Sequence, residues 1–139
     1  DRTRRLVVLR PPSGRSTIDA MPGPLPAAMA ALAAAGLGEA GVLARQPRQL
    51  SEGERFRLSL AAGLVAAGSG RRVTLLCDEF ASVLDRGGAK RLALAVRRAI
   101  VKHPGVRLIC ATAHRDIAAW LRPDITIRPQ PDSHRPEAA

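Results

Sequence analysis

Residues 73 to 80 read Val-Thr-Leu-Leu-Cys-Asp-Glu-Phe, "VTLLCDEF", an apolar run that closes on two adjacent acids. A run that is apolar at successive positions, not alternate ones, predicts a strand covered on both faces, and such strands belong to parallel sheets. Downstream, "RGGAKRLALAVRRAIVKH" at 86 to 103 has the spacing of an amphipathic helix and is stopped by Pro104-Gly105. "VRLICATAH" then predicts a second buried strand, "RDIAAWL" a short helix, and "DITIR" at 124 to 128 a third strand.

Upstream the pattern continues in the same style. "LVVL" at 6 to 9 is a short strand candidate, and "RPPSGRST" is a loop by its Pro, Ser and Gly content. "PLPAAMAALAAAG" predicts a helix closed by Gly36, and a shorter helical piece follows near 38 to 45. A long helix begins near Ser51, and "GSGRR" at 68 to 72 is a turn. Strands alternating with helices imply an α/β fold, a parallel sheet flanked by helices and joined by right-handed crossovers. Three segments follow: an N-terminal strand, loop and helical segment (1–47), an α/β core (48–128) and a polar, Pro-containing tail (129–139) expected to be disordered.

At 139 residues the chain has room for one modest core. It opens on Asp1 and not on Met, which suggests a fragment or a processed product. The net charge of +10 resembles a nucleic-acid signature, but nearly all of the basic residues are Arg and alanine is abundant, a pattern that suits compositional bias equally well. Phe56, Phe80 and Trp120 are the only aromatics, too few for base-stacking platforms. Cys77 and Cys110 each lie inside an apolar run without Cys or His at metal-ligand spacing, which indicates a reducing, cytoplasmic setting. No apolar run approaches the roughly 20 residues a spanning helix needs.

The chemistry gathers in three places. In "QLSEGERFRLSLA" (49–61), Ser51 fits a helix cap and Glu54, three residues on, completes a capping box. Such a helix end also offers free N–H groups to an anion, and Gly53 leaves space for a close backbone approach. Asp78-Glu79 end the central strand, where open parallel sheets bind ligands. Adjacent acids there should face opposite ways, one toward a hydrated Mg²⁺ and the other toward a water as general base. His114 ends the next strand and is placed to bond a terminal phosphate.

In this order the pieces resemble the C-terminal half of an ATP-binding-cassette (ABC) ATPase, over roughly residues 48 to 128. Leu50-Ser51-Glu52-Gly53-Glu54 resembles the signature motif, with Glu52 where a Gly is usual and Glu54 where transporters usually have Gln. Val73 to Glu79 is similar to the Walker B strand, which would make Asp78 the magnesium-side acid and Glu79 the catalytic base. Ser82-Val83-Leu84-Asp85 resembles the D-loop, which in this family crosses a dimer interface, and His114 the switch histidine. Glu54 is of the kind seen in soluble, often DNA-linked members, and Phe80 departs from the Pro common in transporters. "CDEFASVLDR" with "ATAHRDIAAWLRPDI" most resembles soluble bacterial ABC-type ATPases, some of them joined to acetyltransferase-like domains, although nothing in this chain looks like an acetyltransferase.

The resemblance implies ATP and Mg²⁺ as ligands, with Ser51, Glu52, Gly53, Glu54 and Asp85 on the nucleotide side. It also demands a P-loop, G-x-x-x-x-G-K-[ST], to wrap the phosphates in backbone N–H groups. The only candidate is Gly14-Arg15-Ser16-Thr17. Leu9 stands where the first glycine belongs, Pro11-Pro12 remove two donors, and Arg15 is not equivalent to Lys as a phosphate point charge. Too few residues separate Gly14 from Ser51 for the helical subdomain and glutamine-bearing loop of family members. The expectation is therefore a partial P-loop NTPase-type sheet lacking the P-loop strand region. It would hydrolyse ATP only as a homodimer or with a partner, once a P-loop is supplied, and would be inactive alone. The alternative is a nucleic-acid-associated module, or a repair- or chromosome-type ATPase remnant, using its Arg-rich surface.

Overall fold

The computed structural model describes residues 4–68 and 72–129. Most of the expected turn at 68–72 and almost all of the tail at 129–139 fall outside the described residues. Strand β1 (Arg5–Val8) is followed by helices α1 (Leu25–Ala34), α2 (Ala40–Ala44) and α3 (Glu52–Ala67). Strand β2 (Val73–Cys77), helix α4 (Arg86–Lys102), strand β3 (Val106–Cys110) and helix α5 (Arg115–Leu121) complete the order. The three strands form one parallel sheet in the order β1-β2-β3.

β2 is the centre of the sheet, and Val73, Thr74, Leu75 and Cys77 are buried, as a strand apolar throughout requires. α3 lies across it: Ala67 and Leu64 pack on Val73 and Leu75. Gly63 is where that approach is closest, since a Cβ built there would run into Leu9 and also meet Leu75. α4 covers β3 from the same side, with Ile100 against Leu108 and Val106. A separate cluster, built from Leu32, Leu37, Leu50 and Leu58, packs α1 and α2 against the first half of α3. Gly36 ends the α1 region with φ +73°, the left-handed conformation expected of a residue just past a helix end.

Two strand expectations are corrected. "DITIR" at 124 to 128 is not a strand: the segment has no ladder partner among the described residues, and Ile125 and Ile127 are 80% and 86% exposed. Alternating apolar residues favour an extended backbone, but a strand exists only where a neighbour accepts its hydrogen bonds. β3 is also not buried on both faces, because its burial alternates and Arg107 and Ile109 are exposed. The sheet carries its helices on one face.

Candidate functional site

α3 starts at the carboxyl ends of the strands and runs back toward their amino ends, where Ala67 packs on Val73, so its first turn lies beside the segment that leaves β2. Its start is built as the sequence predicts. Ser51 Oγ accepts a hydrogen bond from the Glu54 N–H at 3.2 Å, and a Glu54 carboxylate oxygen accepts from the Ser51 N–H at 2.8 Å. The second of these bonds is the main reason the Glu54 carboxyl sits below its ordinary range, and Arg45 and Arg57 add smaller contributions. With Ser51 N–H and Glu54 N–H engaged, the Glu52 and Gly53 N–H groups are the donors this helix end leaves to solvent.

Two contacts tie this helix end to the loop after β2. Phe56 meets Phe80 edge to face, with ring centroids 5.7 Å apart and planes at 86°. A Cβ on Gly53 would stand 2.8 Å from Leu84 Cδ2, so glycine allows the first turn to rest on the 82–85 segment. Neither contact is legible as a motif. The isolated aromatics at 56 and 80 were the available signal.

β2 ends at Cys77, so Asp78 and Glu79 lie in a tight turn and not on the strand. Their expected opposite facing by strand alternation therefore does not apply. Instead Asp78 Oδ1 accepts from the Glu79 N–H at 3.0 Å, and Glu79 adopts φ +49°. Ala81 follows at φ +58°. Left-handed backbone at two non-glycine residues is uncommon and persists where surrounding structure enforces it. Both carboxylates are exposed.

The carboxyl ends of β2 and β3 are laced together. Ala111 donates to the Cys77 carbonyl at 3.0 Å, Phe80 donates to the Ala111 carbonyl at 2.8 Å, and Thr112 Oγ1 donates to the Phe80 carbonyl at 3.3 Å. The same hydroxyl oxygen accepts from the His114 N–H at 3.2 Å. His114 is half-buried at the start of α5, and its imidazole makes no capping bond there. Thus Asp78, Glu79 and His114 share the carboxyl end of the sheet with the α3 start. Thr112, absent from the sequence reading, links the Phe80 carbonyl to the His114 N–H. Asp85 occupies a different position: it is the N-cap of α4, accepting from the Gly88 N–H at 2.9 Å, and that bond foremost lowers its carboxyl below the usual range.

Among the described residues no three His, Cys, Asp or Glu side chains cluster as a metal cage. A lone exposed carboxylate such as Asp78 fits Mg²⁺ only in the manner that ion favours, through water and substrate phosphates. Gly14–Thr17 is committed elsewhere. Thr17 is fully buried with its hydroxyl donating to the Arg45 carbonyl at 2.9 Å, and Ser16 Oγ accepts from the Asp19 N–H at 3.2 Å. No helix begins after it until Leu25.

No family model and no curated protein sequence matches the chain. Among solved structures, the dimeric structure of a bacterial ABC transporter cassette is similar, with a TM-score of 0.55 at 20% identity, over 75% of this chain and 45% of that one. The likeness shows the fold alone, an α/β arrangement with a three-stranded parallel sheet flanked by helices. More narrowly, the chain has the fold of part of an ABC ATPase cassette and spans 45% of the length of the cassette it matches. No helix among the described residues is long and apolar enough to cross a membrane.

Proposed function

We propose that the chain is the C-terminal segment of an ABC-class ATPase and furnishes half of a composite Mg-ATP site. The observation that carries this reading is the joining of three separate stretches at one end of the sheet: the α3 start, the Asp78-Glu79 turn and the His114 loop, through Phe56–Phe80 and the Phe80–Ala111 bond. In this reading the Ser51-to-Gly53 helix end and Glu54 face the phosphates, with Asp85 at the dimer-side loop. Asp78 holds the magnesium through water, Glu79 takes the proton of the attacking water, and His114 bonds the terminal phosphate. The phosphate-wrapping P-loop comes from residues outside this sequence or from a partner, and the assembly is a dimer in the cytoplasm. The fold of the similar dimeric cassette supports the assignment, as does the commitment of Ser16 and Thr17 to other bonds.

The test is Glu79→Gln in an assembly completed with a P-loop. General-base loss is expected to lower turnover about 10²–10⁴-fold while nucleotide binding persists. Turnover that survives the change sinks the assignment. The chain alone is expected to show no heat of ATP binding at millimolar nucleotide, and tight Mg-dependent binding would return the phosphate site to Arg15 and its neighbours.

A further inference from the structure

The net charge of +10 is not spread evenly over this fold. The start of β1, the end of α3 with the start of β2, and the passage from α4 into β3 all lie at the amino ends of the strands. Their sequences, "RRLVV" at 4 to 8, "LVAAGSGRRV" at 64 to 73 and "RRAIVKHPGVR" at 97 to 107, contain no Asp or Glu. None stands anywhere between Asp85 and Asp116. Glu52, Glu54, Asp78, Glu79 and Asp85 lie at the other end, around the candidate ATP site.

Geometry draws the cations of the amino end together. The parallel register sets Arg5 level with Val73 and Val106, the first residues of the other two strands. The Arg5 N–H donates to the Arg72 carbonyl at 2.9 Å, and Arg4 Nη1 donates to the Gly105 carbonyl at 3.0 Å. Arg107 follows Val106 on β3, while Arg98 and Lys102, one helical turn apart, lie at the end of α4 that feeds β3. Arg5, Arg72, Arg98, Lys102 and Arg107 are all exposed. Partial burial first, then the charges of Arg107 and Arg72, hold the Arg4 guanidinium below its ordinary pKa, as crowding of like charges does. Among the described residues Arg5, Arg98, Lys102 and Arg107 form no ion pair.

We infer that this basic edge binds the phosphate backbone of a nucleic-acid duplex without reading its sequence. The ATP site proposed above occupies the opposite end of the sheet, and this inference does not rest on it. Three features select a duplex. Strand spacing spreads the cations over about 10 Å. Along that length a duplex presents about six negative charges, one per ~1.7 Å. All of the cations but Lys102 are guanidinium groups, which match phosphate oxygens two at a time. No ring is offered at this edge for stacking unpaired bases, since Phe56 packs on Phe80 at the far end and Trp120 lies against Arg86 in the first turn of α4. An anionic membrane is the poorer fit, because the apolar face of α4, with Ala89, Leu92, Ala93 and Val96, is buried in the core and cannot enter lipid.

The test is fluorescence anisotropy of a short labelled DNA duplex of mixed sequence, titrated with the full chain at salt from about 50 to about 200 mM. Four phosphate contacts, by Arg5, Arg98, Lys102 and Arg107, are expected to give a slope of log K against log salt of about −3.6. Lys102→Gln with Arg107→Gln should reduce it to about −1.8 and weaken binding at the lower salt at least ~10-fold. Arg5→Gln with Arg98→Gln, on different elements, should reproduce that loss. A control of equal charge, Arg10→Gln with Arg48→Gln at exposed positions beyond the carboxyl ends of the strands, should stay within about twofold of the parent, because screening isolates distant charges. All three variants should keep the circular dichroism of the parent. A parent slope flatter than about −1 overturns the inference. So does an equal loss in the control, or a chain that ignores the duplex and sediments with phosphatidylserine vesicles.

Discussion

Truncating Phe80 tests the part of the structure on which the candidate site depends. Phe80 is fully buried, stacks edge to face on Phe56 and sits in the cluster that joins α3, α4 and α5. On either side, Glu79 and Ala81 hold left-handed backbone, and such residues store about 1–3 kcal/mol each. Burying a phenylalanine supplies about 1.5–3 kcal/mol, enough to hold one such residue and comparable to the two together. Phe80→Ala should therefore cost about 3–5 kcal/mol, the range for emptying an aromatic site. That is a large share of the ~5–15 kcal/mol typical of a folded domain. In urea, followed by far-ultraviolet circular dichroism, the midpoint should fall by more than about 1 M. Phe80→Leu keeps most of the volume and should remain folded, and its double-mutant cycle with Phe56→Leu isolates the ring contact, worth about 0.5–1.5 kcal/mol. Hydrogen exchange at 78 to 82 should rise in the Ala variant before global unfolding. A cost below about 1 kcal/mol with no coupling to Phe56 would refute the idea that this ring holds the Glu79 turn.

Two further outcomes follow from particular bonds. Ser51→Ala should lose about 1 kcal/mol of stability as a helix cap, read as a shift in thermal midpoint, and an unchanged midpoint would mean that the capping box is ornamental. The Glu54 carboxyl is lowered in the fold, so its contribution is present above its unfolded pKa of about 4.3 and is lost as pH falls through the lower folded value. A titration of stability from pH 6 downward should lose that component in Glu54→Ala relative to the parent. Burial pushes the Cys77 thiol up to about 12, with Cys110 and Asp78 as lesser contributors, so at pH 8 it should be alkylated only as the chain unfolds. Modification at the rate of a free thiol would place Cys77 at the surface.

The parts of the fold that were legible are those whose signals are local. The Ser51–Glu54 box, the Gly36 stop, the helix read over 86 to 103 and the apolar β2 run each draw on residues within a few positions of one another, and each forms where the pattern places it, to within a residue or two. The errors share one cause. "VRLICATAH" and "DITIR" have strand composition, but burial of the first and pairing of the second depend on neighbours that no local pattern specifies. Val106 and Ile109 are equally apolar, and only the first has a helix above it. The same distinction governs the candidate site. That Asp78-Glu79 ends a strand could be read from composition. That Phe80 bonds Ala111 across the sheet, so that Glu79 leaves the strand direction in a left-handed turn, depends on a partner about thirty positions away, and long-range contacts of this kind carry no short-range signature. The exposed apolar residues on β1 and β3 are the converse case. Val8 and Ile109 are as apolar as the residues beneath α3 and α4, so composition alone does not tell the covered face of the sheet from the open one.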